Sequence, residues 1–237
     1  MAIHLMEISG KLANVVFYKK YGKNFARIAP SEVKRTVNMK ARNQNFGIAS
    51  RNGRILRMML AGVLPVPKDK SMQSRFSGAI AKWIGRQEIK DIPAGQKLVY
   101  LSGFQFNDKC WLAQRLQVDL AVTRVSDNML QLQVPAFVPT ESIIAPEGTE
   151  SVTLEVCAAP IDLDRCMASR EFSTSIEIPY TAERMAAQTI DLPVSTKRGT
   201  LIITVCALKY RLTEHGEKLV SKNPAYMPGG VVDARYC

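Results

Sequence analysis

Arg115-Leu116-Gln117-Val118-Asp119-Leu120-Ala121-Val122-Thr123 and Leu130-Gln131-Leu132-Gln133-Val134, separated by Ser126-Asp127-Asn128, decide the fold. Apolar and polar side chains alternate in both, with Ala121 the one apolar residue on the polar side. A period of two sends successive side chains to opposite faces of an extended chain, so these segments predict two half-buried strands joined by a polar turn. The alternation returns in Val152, Leu154 and Val156 against Thr153, Glu155 and Cys157. It appears again in Phe172, Thr174, Ile176 and Ile178 against Ser173, Ser175 and Glu177, and each of these strands is expected to have one wet face. Leu201 to Leu208 is apolar on nearly both faces and suits a central strand, with Glu214-His215-Gly216-Glu217 turning into its neighbour. Residues 91–237 are therefore predicted to form an antiparallel β-sandwich, with an immunoglobulin-like strand order as a candidate, and the fold class is mainly β.

Upstream the pattern differs. Leu12-Ala13-Asn14-Val15-Val16-Phe17-Tyr18 and Asn24-Phe25-Ala26-Arg27-Ile28 flank Lys19-Lys20-Tyr21-Gly22 and read as a β-hairpin closed at Gly22. From about Asn38, the residues Met39, Phe46, Ala49, Ile55, Leu56, Met59 and Leu60 predict a helix, bent or broken near Asn52-Gly53 and ended by Pro65 and Pro67. Met72, Phe76, Ala79, Ile80, Trp83 and Ile84 fall on one stripe of a second helix. Its opposite side carries Ser74, Gly78, Ala81 and Gly85, small enough for another backbone to approach, or else a mildly polar surface.

Charge separates the same two regions. The net charge of +11 is made of +14 over residues 1–90, with 18 Lys+Arg against 4 Asp+Glu, and −3 over residues 91–237, with 14 against 17. A basic segment favours nucleic acid or an acidic partner; the alternative is a solvated face that maintains solubility. Lys19, Lys20 and Lys23 cluster at the hairpin tip around Tyr21, and Arg51, Arg54 and Arg57 continue along the first helix, after Lys34, Arg35, Lys40 and Arg42. Cations can contact phosphates, and an interleaved aromatic can stack on an unpaired base. Lysine on an edge hairpin also prevents strand mispairing.

The search for reaction chemistry returns little. There is no phosphate-binding loop, dinucleotide fingerprint, nucleophile elbow or paired-histidine motif. Five cysteines, Cys110, Cys157, Cys166, Cys206 and Cys237, are an odd number without a Cys-x-x-Cys pair, which argues against both a disulfide framework and zinc. Cys157, read as lying on the polar side of its strand, is the best nucleophile candidate, but His4 and His215 are the only histidines to serve it as base. Asp162, Asp164 and Glu171 lack the spacing of a calcium loop. No cofactor, no metal and no small-molecule substrate are expected. The opening residues show neither a basic n-region nor a long apolar run, and no stretch of about 18 apolar residues occurs, so a cytoplasmic location without membrane contact is expected.

Gly10, Asn14-Val15-Val16, Tyr18, Gly22-Lys23, Arg27, Pro30 and Phe46-Gly47-Ile48-Ala49-Ser50 resemble a family of uncharacterised Bacteroidota proteins that open with a Gly-x-x-x-Asn-Val-Val-x-Tyr hairpin followed by a helix. A similar opening occurs in proteins that look like phage or prophage structural components. The resemblance covers roughly the first 50 residues. Thr36 matches the family's helix start, whereas Val37 stands in place of proline and Met39-Lys40 in place of a glutamine pair. The resemblance implies a fold pattern and a structural role, and it assigns no site.

Together these readings predict a basic hairpin-plus-two-helix region over residues 1–90 and a sandwich over residues 91–237. The expected function is that of a non-enzymatic structural or interaction protein, a component of a larger assembly. The alternative is sequence-independent nucleic-acid binding through Lys19, Lys20, Tyr21, Lys23, Arg51, Arg54 and Arg57. Phe76 and Trp83 are the expected centre of a packing or interface surface, and residues 91–237 are expected to fold without residues 1–90.

Overall fold

The computed structural model describes residues 9–29, 36–64, 71–84, 96–162, 165, 167–168, 171–214 and 217–237. The chain divides into two compact units, Met1–Ala41 and Arg42–Cys237.

In the first unit, β1 (Gly10–Leu12), β2 (Val15–Lys20) and β3 (Lys23–Ile28) form an antiparallel sheet in the order β1-β2-β3. Both turns have two residues. Tyr21 and Gly22 both have positive φ, +52° and +75°, the signature of a type I′ turn, whose twist matches that of the flanking strands. Gly22 adopts this conformation freely, whereas Tyr21 does so against its Cβ. The helix α1 (Val37–Met59) begins in this unit and continues into the second. Its entry is held by the Thr36 hydroxyl, which accepts the Met39 N–H at 3.2 Å.

The second unit has three layers. Its central sheet is antiparallel, in the order β4 (Gln96–Lys97), β13 (Gly229–Tyr236), β11 (Thr200–Glu214), β7 (Thr149–Asp162), β8 (Met167–Ala168), with β9 (Phe172–Pro179) also on β7 and β12 (Glu217–Val220) also on β11. A second sheet, β10 (Gln188–Leu192), β6 (Met129–Val134) and β5 (Ala121–Ser126), covers one face. Leu130, Leu132, Val152, Leu154, Val156, Ile202, Cys206 and Leu208 fill the core between the two sheets. This is the expected sandwich, with seven strands against three rather than the four against three of an immunoglobulin constant domain. Arg235 ties the layers together: its Nε donates to Asp233 Oδ2 at 2.6 Å, and Nη2 reaches across to the Val122 carbonyl at 2.7 Å.

The other face of the central sheet is covered by α1 from Ala49 onward and by α2 (Met72–Ile84). Phe76 packs against Phe104 and Phe106, with ring centroids 5.1 and 5.4 Å away, and Trp83 packs against Tyr236 at 5.9 Å. Of the two alternatives for Phe76 and Trp83, packing or interface, the fold shows packing: both belong to the chain's own core. The division at Ala41 rather than near residue 90 has the same cause, since both helices bury their apolar stripes on the sheet. Without them Cys157, Ala159, Ile161, Leu201, Ile203 and Val205 would face water, so residues 91–237 lack one wall of their core.

Three expectations from the sequence are overturned. The helix α1 runs unbroken through Asn52-Gly53. Gly53 instead lies against α2, where an added Cβ would stand 3.2 Å from Ser77 Oγ. On the small-residue side of α2, an added Cβ at Gly78 would meet nothing within 4 Å, in keeping with the surface alternative for that side. The first sandwich strand starts only at Ala121: Leu112–Arg115 is a single helical turn, α3, and Leu116 makes an isolated bridge to Ile143. Finally, Cys157 is not on a wet face, because the helix layer covers the distal half of β7. His215, Gly216, Asp164, Cys166, Pro65 and Pro67 lie outside the described residues.

Candidate interaction surface

Alternation along β2 and the registers to its neighbours separate the N-terminal sheet into two unlike faces. Directly opposed residues in antiparallel strands share a face. Leu12, Val15 and Ile28 form one row, and Gly10, Phe17 and Ala26 the next row of the same face, followed by Lys19 opposite Asn24. Apart from that last pair, this face carries no polar side chain. Leu12 and Ile28 are 67% and 80% exposed.

The reverse face reads differently. Its rows are Lys11, Val16 and Arg27; then Tyr18 and Phe25; then Lys20 and Lys23. Tyr18 and Phe25 stack with centroids 5.6 Å apart and planes inclined by 19°, and they are 38% and 41% exposed. Val16, Tyr18 and Arg27 line a shallow depression of about 290 Å³. At the tip, the Lys20 ammonium lies 5.1 Å from the centroid of the Tyr21 ring, which is 89% exposed. Five cations and no carboxylate occur between Ser9 and Ala29.

The sequence-predicted cationic residues are thus distributed over different surfaces. Lys20 and Lys23 are partners on one face, Lys19 lies on the other, and Tyr21 is in the turn between them. Arg51, Arg54 and Arg57 belong to the second unit. Arg51 and Arg54 are exposed; Arg57 is half-buried, and desolvation, then the neighbouring Arg54 charge, pushes its guanidinium below its ordinary value. Lys11, Tyr18, Phe25 and Arg27 are not among the binding residues expected from sequence, although counting residues by two from Lys20 and Lys23 along the predicted strands collects Tyr18, Phe25 and Arg27.

The catalytic candidates are placed elsewhere. Cys110, Cys157, Cys206 and Cys237 are buried free thiols. Burial, and then the charge of Glu171, push Cys157 up to about 12, the opposite of an activated nucleophile. Asp162 accepts the Arg165 backbone N–H at 2.9 Å and closes a turn. Among the described residues no group of three His, Cys, Asp or Glu side chains has the arrangement to hold a metal ion. No described helix is long and apolar enough to cross a membrane.

No family model matches this chain, and no curated protein does. Among solved structures, a chain from work reporting that CC2D1B "coordinates ESRCT-III activity during the mitotic reformation of the nuclear envelope" aligns with 84% of this chain and 87% of its own. The TM-score is 0.25 and the identity 10%, so that likeness carries no argument.

Proposed function

We propose that this chain is a non-enzymatic structural protein that assembles with copies of itself, through the apolar face of its N-terminal sheet, into a larger cytoplasmic particle. One observation carries the reading: Leu12, Val15, Phe17, Ala26 and Ile28 make one sheet face apolar while leaving much of it in water. A second copy fits such a face because two identical sheets can stack at about 10 Å, apolar side to apolar side. Lys11, Lys20, Lys23 and Arg27 lie on the reverse face, so stacking brings few like charges together. Covering Leu12 and Ile28 contributes about 1–2 kcal/mol for each side chain, enough for association that depends on concentration.

Sedimentation velocity from a few micromolar to several hundred micromolar tests this. The wild-type chain is expected to shift to larger species, and Leu12→Asp/Ile28→Asp to remain monomeric with unchanged far-UV circular dichroism. A wild-type chain that stays monomeric throughout contradicts the proposal, as does a double variant that associates equally well.

A further inference from the structure

We infer that the reverse face of the N-terminal sheet binds single-stranded nucleic acid. The inference concerns a different surface from the proposed self-association and does not depend on it. On this face an aromatic row lies between two cationic rows: Tyr18 and Phe25 in the middle, Lys11 and Arg27 on one side, Lys20 and Lys23 on the other. Adjacent rows of a strand face are two residues, about 7 Å, apart. Unpaired bases have exposed π-faces that stack on aromatic side chains, while their phosphates seek cations alongside. The near-parallel Tyr18–Phe25 pair, exposed on its outer side, offers the stacking surface, and the depression beside Val16, Tyr18 and Arg27 gives a base room to settle.

Two further features point to an anionic ligand. Lys20 and Lys23 stand directly opposite one another, an arrangement of like charges that weakens a two-strand pairing and that a polyanion would relieve. No carboxylate between Ser9 and Ala29 is available to compete for these cations. Exposed stacked bases, rather than phosphates alone, are what the aromatic row adds, so a single strand is favoured over a duplex or an acidic protein. Nothing on this face reads base identity, and binding is expected to be indifferent to sequence.

The test is fluorescence anisotropy of the full chain with a labelled 20-nucleotide oligothymidine, a duplex of the same length, and polyglutamate. With four phosphate contacts, the logarithm of affinity should fall against the logarithm of salt with a slope of about −2.8, roughly a 50-fold loss between 50 and 200 mM. Lys20→Glu/Lys23→Glu should reduce the slope to about −1.4 and weaken binding. Phe25→Ala should weaken it about 5- to 150-fold with the slope unchanged. Circular dichroism of each variant confirms the fold, and Phe25→Leu, which keeps strand packing but not the ring, is expected to behave as Phe25→Ala does. Absence of binding at 50 mM salt overturns the inference, as does a charge-reversed variant that binds like the wild type. Equal affinity for duplex or polyglutamate, with no effect at Phe25, also overturns it and leaves a general polyanion surface.

Discussion

Replacing Trp83 with alanine tests whether the helices are an integral layer of the second unit. Trp83 is 4% exposed, and its ring packs 5.9 Å from that of Tyr236, at the C-terminal end of β13. Truncating a buried tryptophan costs about 3–5 kcal/mol in lost transfer energy and cavity formation. Against this, the Trp83 Nε1 hydrogen has no acceptor among the described residues, so the variant also removes a buried donor whose desolvation costs about 1–3 kcal/mol. The net expectation is a loss of about 1–3 kcal/mol, or about 2–12 °C in Tm for a chain of this size. Trp83→Phe keeps most of the apolar surface and discards the donor, so it should stay within about 1 kcal/mol of the wild type. Urea denaturation followed by tryptophan-independent far-UV circular dichroism gives both values, with the denaturant slope unchanged if only stability has moved. An alanine variant within about 0.5 kcal/mol of the wild type refutes the packing argument, and so does a phenylalanine variant as damaged as the alanine one.

Three further outcomes follow from local geometry and titration. Gly53→Val inserts branched carbon where even a Cβ stands 3.2 Å from Ser77 Oγ and 3.4 Å from Ile80 Cδ1, and should cost about 1–3 kcal/mol in the same urea titration. Tyr21→Asn relieves the positive φ at the first turn position and should stabilise the hairpin by about 1 kcal/mol, measured as slower amide exchange at residues 19–24. Burial raises the Cys157 thiol from 9.0 to about 12 and also pushes Cys206 up, so the fold favours neutral thiols. That stabilisation is complete below pH 9 and is lost as pH rises from 9 toward 12, which predicts a decrease of about 2–3 kcal/mol between pH 8 and pH 10 for the two thiols together.

The strands were legible because burial on one side writes itself as alternation: β6, β9 and the apolar β11 follow directly from their residues. The helix stripe from Met72 to Ile84 is equally plain, but a stripe does not name what it covers, so the sequence leaves open whether Phe76 and Trp83 pack on the chain itself or on a partner, and the fold places them over Cys157 and Val205. Cys157 itself illustrates the limit. A cysteine among Thr153 and Glu155 looks solvent-facing until helices distant in sequence are laid over that end of the strand. The two-faced character of the N-terminal sheet was hidden for another reason. Clustering by sequence grouped Lys19, Lys20, Tyr21 and Lys23, whereas strand geometry separates neighbours and joins Lys20 to Lys23, Tyr18 to Phe25, and Val16 to both Lys11 and Arg27. Counting by two sorts residues within each strand, and the register, fixed by two two-residue turns, supplies the pairs across strands.

The most direct test of self-assembly is the rate at which single thiols on the two faces of the N-terminal sheet are alkylated as protein concentration is raised. Ile28→Cys reports the apolar face and Lys20→Cys the cationic one, each in a Cys166→Ser background, and the buried Cys110, Cys157, Cys206 and Cys237 should stay silent while the chain is folded. With self-assembly through the apolar face, alkylation at position 28 slows progressively with concentration while alkylation at position 20 does not change. Equal rates at position 28 from the lowest to the highest concentration would contradict it.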